Sequence, residues 1–218
     1  MADVDLLIPR EQRDDAIDQL VRVGWRHTNP LPSSPMFRAA VIDAPNGTTV
    51  DLQWRLLQQP DLDWFDDEVR ARAVDTDLRG VGARRPGTAD MLFHALVHGA
   101  KSNPVPPLRW VSDAVALLRT DLDEADWDIL RTTAIATDLT LPVADGLRYL
   151  VDLLDAPVPS RVLDELDAHR PGRLRRAEHR LAALPVHVRR RSYAVTAYLG
   201  ESRRIGATPT PLGFARFA

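Results

Sequence analysis

The 218-residue sequence contains no cysteine, which excludes disulfide bonds, thiolate catalysis, cysteine-ligated zinc and iron–sulfur clusters. It also lacks an uninterrupted apolar run of roughly 18 residues, so we expect no membrane-spanning helix. The N-terminus does not show the basic and then apolar segments of a signal peptide. Because nothing in the sequence requires export, we expect a cytoplasmic protein.

Lysine is nearly absent as well: Lys101 is the single lysine beside 27 arginines. The charge is distributed unevenly, with 17 basic and 29 acidic residues in 1–169 but 11 basic and 2 acidic residues in 170–218. A basic segment of this kind either binds nucleic acid or packs against the acidic part of its own chain. We favour the second interpretation, and we expect no partner membrane.

The N-terminal residues have the alternation of a β-strand followed by the spacing of a helix. In residues 3–8, the apolar Val4 and Leu6 alternate with Asp3 and Asp5, which predicts a strand with two unlike faces. Residues 10–22 then carry apolar side chains at helical spacing.

A hairpin is predicted around Pro45-Asn46-Gly47, which separates the strand-like runs FRAAVIDA and TTVDLQWRL. Asn-Gly between two such runs is the strongest short-range signal for a β-hairpin. In the second run, Asp51 and Gln53 alternate with apolar residues. We therefore expect one face of this strand to meet the core and the other to meet solvent or a site.

The rest of the chain reads mainly as helix. Residues 58–87 are acidic and end in turn-forming residues, so we interpret them as a connector and a candidate domain boundary. Asp121 and Glu124 resemble a capping box at the start of one helix. The predicted helices cover residues 88–101, 108–119, 121–137, 142–154, 160–169, 173–184 and 188–200.

These patterns predict an α+β fold, with a small mixed sheet and its helices followed by a helical bundle. We expect an α/β domain over residues 1–87, a helical domain over 88–200 and a coil tail over 201–218.

Three aspartates are the main candidates for chemistry. Asp3 and Asp5 share a strand face, and Asp51 lies on the polar face of a second strand. If the two strands are neighbours, three carboxylates converge, and their repulsion costs free energy unless a cation lies among them. Carboxylates of this kind suit Mg²⁺, and metal-bound carboxylate sites carry out phosphoryl transfer. A single aspartate on an exposed strand is common, so the alternative is three unrelated surface acids.

The ordered segments DVDLLIP, TVDLQWRL and MLFHALVHGAKSNPVPPLRWVSDAVALL resemble the bacterial uncharacterised nucleotidyltransferase family, within the DNA polymerase beta-like superfamily. The resemblance covers residues 1–155. It implies a nucleotidyltransferase-like sheet, and an enzyme that moves a nucleoside monophosphate from an NTP to an acceptor hydroxyl. Gln53 stands where the family often has histidine.

The resemblance also implies site residues. Asp3 and Asp5 would bind Mg²⁺ and the nucleoside triphosphate, and Asp51 would hold the catalytic metal and help to deprotonate the acceptor. Lys101 and Arg109 would neutralise phosphates. The acceptor is not identified by the sequence.

His94, His98 and Lys101 follow one another at helical spacing, so they share one stripe of a predicted helix. His98 either belongs to a structural histidine pair or lines the nucleotide site, and a zinc site is disfavoured because the pattern is not H-E-x-x-H. Arg109 either binds phosphate or pairs with Asp113 at i,i+4. Trp54 and Trp110 either stack on a base or pack in the core.

In the superfamily a helix and a Gly-Ser turn precede the D-x-D strand, and we expect this sequence to lack them because Asp3 is its third residue. Either Met1 is an internal methionine of a longer chain, or the protein is truncated. The second case favours an inactive nucleotidyltransferase-like protein with a regulatory or partner-binding role.

Overall fold

The computed structural model describes residues 4–27, 37–57, 59–100, 108–120, 122–182, 184 and 186–217. These residues form two compact units. The sheet unit comprises Met1–Asp67 and Ala197–Ala218, and the helical unit comprises Glu68–Thr196. The mixed α+β class predicted from the sequence is confirmed.

The sheet unit contains a four-stranded mixed sheet whose spatial order is β1-β4-β3-β2. Strand β1 runs parallel to β4, whereas β3 is antiparallel to both β4 and β2. A helix, α1, connects β1 to β2 after a short 3₁₀ turn. The bounds are β1 Val4–Leu7, α1 Arg13–Arg22, β2 Arg26–His27, β3 Ala39–Asp43 and β4 Thr49–Gln53.

One face of this sheet is apolar and packs against α1. Ile42, Leu52 and Trp54 project from β3 and the end of β4 and are almost completely buried beside Ile17 of the helix. Because side chains alternate along a strand, the residues between them lie on the opposite face. The predicted core face of β4 is therefore confirmed, whereas on its opposite face Asp51 is half-buried and Gln53 is buried.

The predicted hairpin is also confirmed. Gly47 has a φ of +81°, which glycine adopts without steric cost, and its N–H donates to Ala44 O at 2.9 Å. The turn joins β3 to β4 as the Asn-Gly signal predicts.

The C-terminal residues are not a coil, so the predicted coil tail over 201–218 is wrong. Helix α9 spans Val186–Arg204, and helix α10 spans Pro211–Phe217. The Tyr198 hydroxyl accepts the Thr210 N–H at 2.9 Å, and its ring contacts Phe214 and Phe217. Helix α10 has too few residues for a clear periodicity, and it is stabilised by this aromatic contact with α9.

The end of α9 is also tied to the sheet unit by charge. Arg204 binds Glu201 through two hydrogen bonds of 2.8 and 2.6 Å and forms an ion pair with Asp63 at 3.6 Å. Arg10 lies 3.5 Å from the same Asp63 carboxylate. This network shows why the C-terminal segment belongs to the same unit as the N-terminal strands.

The interpretation of residues 58–87 as a connector is wrong. Helix α2 covers Trp64–Arg72, and strands β5 (Val74–Leu78) and β6 (Val81–Arg85) form an antiparallel hairpin. Its turn is Arg79-Gly80, with φ values of +56° and +84°. Most side chains of this hairpin are exposed, so the apolar alternation that identifies a half-buried strand is absent.

Beyond the hairpin, the helices predicted for the rest of the chain are all present, with ends that differ by at most four residues. The two units divide after Asp67 and again before Ala197, and the predicted domain boundary at residue 87 stays a prediction. The helices are α3 Thr88–Ala100, α4 Leu108–Leu118, α5 Glu124–Ala136, α6 Thr140–Leu154, α7 Ser160–Ala168 and α8 Arg173–Ala182. Each helix in the described ranges is too short or too polar to cross a lipid bilayer.

Helix α5 does begin with a capping box, but one made by other residues than predicted. The Asp123 carboxylate accepts the Asp126 N–H at 2.9 Å, and the Asp126 side chain accepts the Asp123 N–H. Asp121 lies outside the described residues, and Glu124 is the first helical residue. The difference arises because aspartate at N3 can perform the role usually given to glutamate.

Trp110 packs in the helical unit against Gly99 and Tyr149. A Cβ atom placed on Gly99 would lie 2.2 Å from the indole, and the ring centroids of Trp110 and Tyr149 are 5.6 Å apart. Glycine at position 99 thus allows α4 to approach α3 closely, and the packing interpretation of Trp110 is favoured.

We predict that Gly99→Ala lowers the free energy of unfolding by about 1–3 kcal/mol, because the added methyl group overpacks the contact with Trp110. Thermal unfolding of the two proteins measures the effect. Gly82→Ala is the matched control, since a Cβ atom there has nothing within 4 Å. Equal melting temperatures for Gly99→Ala and Gly82→Ala would contradict the close approach.

A second prediction concerns acid stability. Hydrogen bonds from Arg204 hold the pKa of Glu201 below its ordinary value, with help from the charges of Arg204, Arg10 and Arg55 and against the effect of burial. The stability that Glu201 contributes is therefore present above pH 4.5 and is lost as the pH falls through its lowered pKa.

Melting temperatures measured across this pH range should fall less steeply for Glu201→Gln than for the wild type. Glu11→Gln makes the same chemical change at an exposed position and should keep the wild-type slope. Parallel curves for wild type and Glu201→Gln would refute the role of this ion pair.

Candidate active site

Asp5 and Asp51 lie directly opposite each other on neighbouring strands. In the parallel pairing of β1 with β4, Asp5 is in register with Asp51, and Leu6 with Leu52. Paired residues of adjacent strands project to the same side of a sheet, and neighbouring strands lie about 4.8 Å apart. Asp5 is exposed and Asp51 is half-buried. The two carboxylates therefore share the face that does not pack against α1.

A side-chain contact independently places Asp5 on this face. The Gln53 amide Nε2 donates a hydrogen bond of 2.6 Å to Asp5 Oδ1. Gln53 is two residues from Asp51 along β4, so both project from the same side of that strand. The condition on which the sequence argument depended, that these acids share one face, is met for Asp5 and Asp51.

The donor atoms available at this position suit a hard divalent cation. Two carboxylates side by side repel each other, and a cation between them removes that repulsion. Oxygen ligands of this type fit Mg²⁺, which commonly takes one or two protein carboxylates together with substrate phosphates. Asp3, the third predicted ligand, lies outside the described residues. Among the residues that are described, no three histidine or acidic side chains form a potential metal site.

Trp54 and Arg55, at the end of the TVDLQWRL segment, have structural roles. Trp54 is 3% exposed, and its Nε1 donates to Phe37 O at 3.0 Å, which favours packing over base stacking. Arg55 is 2% exposed and donates to the same carbonyl at 3.1 Å. Burial lowers the pKa of the Arg55 guanidinium, and the charge of Arg10 lowers it further, whereas nearby acids oppose both effects. These two side chains thus anchor the end of β4 to residue 37.

Of the other predicted binding residues, His98 and Arg109 belong to the helical unit. His94 and His98 stack with their ring centroids 5.2 Å apart on α3. Arg109 is exposed near the start of α4, and within the described part of the chain it forms no ion pair with Asp113. Lys101 lies outside the described residues. The assignment of Lys101, His98 and Arg109 to a nucleotide site stays a prediction.

One residue close to the carboxylates was not found by sequence reasoning. Arg38 Nη1 donates to Gln53 Oε1 at 3.1 Å and to Leu56 O at 3.2 Å, so it contacts the amide that binds Asp5. The signal for it lay in the hairpin: the Asn-Gly turn sets a register in which Ala39 faces Gln53, and Arg38 is the next residue.

The comparisons with known proteins identify the family of this chain but no individual relative. No curated protein sequence matches the chain. The sequence profile of a family described as uncharacterised nucleotidyltransferase matches residues 1–155, which is more than half of the chain and includes Asp5, Asp51 and the histidine-bearing helix α3. The chain therefore belongs to the uncharacterised nucleotidyltransferase family.

Proposed function

We propose that this protein transfers a nucleoside monophosphate from an NTP to the hydroxyl group of an acceptor, with Mg²⁺ bound by Asp5 and Asp51. In this reaction the acceptor oxygen forms a bond to the α-phosphorus, the bond from that phosphorus to the bridging oxygen breaks, and pyrophosphate leaves. The acceptor is a small molecule, a peptide, a protein side chain or an RNA end.

The observation that carries the proposal is the register of Asp5 with Asp51 on the polar face of the sheet. Two acidic side chains directly opposite each other on neighbouring strands repel, and like charges in such pairs are destabilising. A site that recruits a divalent cation explains this cost, and membership of the family supports the reaction class.

Each residue has a distinct role in the proposal. A bound Mg²⁺ would neutralise charge on the phosphates and on the attacking and leaving oxygens. Asp5 and Asp51 would supply its protein ligands, with Asp3 as a third. Asp51 would also accept the proton that the acceptor hydroxyl loses. Lys101 and His98 are proposed nucleotide-binding residues because the sequence resemblance favours them, and Arg109 is proposed to neutralise phosphate charge.

We predict that Asp51→Asn and Asp5→Asn each reduce transfer by about 100-fold or more, since each removes a ligand and Asp51→Asn also removes the base. The assay incubates the protein with each α-labelled NTP, Mg²⁺ and separate pools of small molecules, RNA and protein as acceptors. Label attached to an acceptor is then measured.

Asp43→Asn is the matched control for this assay. It removes the same charge from the same sheet face, where Asp43 accepts a 2.8 Å hydrogen bond from Thr49. We expect it to retain transfer. Label transfer that survives Asp51→Asn would contradict the proposal, and nucleotide binding by the wild type without transfer to any pool would favour the inactive, regulatory alternative.

We also predict that Asp51→Asn is more stable than the wild type without Mg²⁺ but, unlike the wild type, is not stabilised by added Mg²⁺. In EDTA, relief of the repulsion with Asp5 should stabilise the variant by about 0.5 kcal/mol. Added Mg²⁺ should raise the melting temperature of the wild type, because a ligand that binds the native state stabilises it, and should leave Asp51→Asn unchanged. An equal Mg²⁺ response in both proteins would rule out Asp51 as a ligand, and Asp43→Asn should respond like the wild type.

A further inference from the structure

A chain of hydrogen bonds leads from Arg38 through Gln53 to Asp5. Arg38 Nη1 donates to Gln53 Oε1 at 3.1 Å, and Gln53 Nε2 donates to Asp5 Oδ1 at 2.6 Å. The residues come from three segments of the sheet unit: the start of the hairpin, the end of β4 and the middle of β1. The chain thus ties one carboxylate of the candidate site to the framework behind it.

The donor and acceptor groups of Arg38 and Asp5 determine how the Gln53 amide between them is oriented. A guanidinium has only donors, so the amide oxygen must face Arg38. An ionised carboxylate has only acceptors, so the amide NH₂ must face Asp5. The contact with Arg38 holds the amide oxygen on one side, and the two contacts together allow one orientation of the amide.

Gln53, the middle residue of these hydrogen bonds, is held rigidly. Gln53 is 6% exposed, so its amide has little room for another rotamer. Arg38 is fixed by its second bond to Leu56 O, and the backbone O of Arg38 accepts the Trp54 N–H at 2.9 Å. Gln53 therefore presents a donor to Asp5 from a fixed position, and the exposed Asp5 side chain loses rotational freedom.

We propose that Gln53, oriented by Arg38, is a positioning residue that fixes the Asp5 carboxylate for Mg²⁺ and leaves Asp5 Oδ2 for the cation. This inference rests on the proposed function, because it assumes that Asp5 and Asp51 bind a divalent ion. It goes further in assigning a role to residues that do not themselves touch the metal. Partners of this kind, one step behind the ligands, typically change metal affinity by 10–100-fold when they are removed.

The test measures metal binding directly, without any acceptor or NTP. Free Mn²⁺ is quantified by electron paramagnetic resonance as the full-length protein is titrated, and Mg²⁺ and Ca²⁺ are then added as competitors. Gln53→Met keeps the approximate length and volume of the side chain but removes the donor to Asp5. Arg38→Met removes the group that orients the amide. Thr49→Val is the matched control, because it deletes a side-chain hydrogen bond on the same face of β4, on the other side of Asp51.

We expect Gln53→Met and Arg38→Met each to weaken Mn²⁺ binding by about 10-fold, and Thr49→Val to leave it unchanged. Mg²⁺ requires near-octahedral coordination, whereas Ca²⁺ tolerates irregular sites, so the loss should be larger for Mg²⁺ than for Ca²⁺. A role limited to general stability would weaken both ions equally. The double variant should bind little worse than either single one, since the two residues act in one chain.

The outcomes separate the two proposals. If Asp5→Asn and Asp51→Asn abolish Mn²⁺ binding while Gln53→Met and Arg38→Met bind as the wild type does, the positioning role is wrong and the metal site stands. If the wild type itself binds no Mn²⁺, the proposed function fails, and the inference with it. Should Gln53→Met not fold, Arg38→Met carries the test alone, because it leaves the buried Gln53 in place.

Discussion

The parallel pairing of β1 with β4 is the constraint on which the candidate site depends. It places Asp5 against Asp51 and, on the other side of the sheet, Leu6 beside Leu52. Side chains alternate strictly along a strand, so a slip of one residue would turn Asp51 toward the core and Leu52 toward solvent. The burial of Leu52 against α1 thus holds the register, and the register holds the carboxylates together. Packing on one face of the sheet therefore positions the two carboxylates on the other.

The two faces of β4 have different energetic roles. On the core face, Leu52 and Trp54 contribute apolar burial, and just after the strand the Trp54 and Arg55 side chains both donate to Phe37 O. On the opposite face, Asp51 lies opposite a like charge, which is unfavourable, and the proposed cation would reduce that cost. Gln53 moderates this cost, because its amide donates a hydrogen bond to the Asp5 carboxylate. A single segment therefore contains both the destabilised site and the anchors that hold it in place.

In the helical unit, part of the segment that resembles the family has a structural role. Gly99 follows His98 in the segment that resembles the family, and its missing side chain leaves the space that Trp110 fills. Gly146 is similar, since a Cβ atom there would lie 2.7 Å from Leu96 Cδ2. Both glycines permit helices to approach closely, so parts of the motif reflect how α3 packs. Arg109 is exposed on the neighbouring helix, and its part in nucleotide binding stays a prediction.

The sequence by itself determined the features that depend on local chemistry: the Asn-Gly hairpin, the alternation of β4 and the positions of most helices. It missed the exposed β5–β6 hairpin and helix α10, because the first lacks a buried face and the second depends on aromatic contacts with α9. The sequence argument brought Asp5 and Asp51 together only if their two strands were neighbours. Local spacing does not determine whether strands separated by a helix and a hairpin pair with each other. Tertiary structure decided that pairing, and it alone brought Arg38 and Gln53 to Asp5. Hydrogen bonds between distant segments form only after the packed core has brought those segments together. Local residue spacing does not determine which segments will meet, so it cannot predict these bonds.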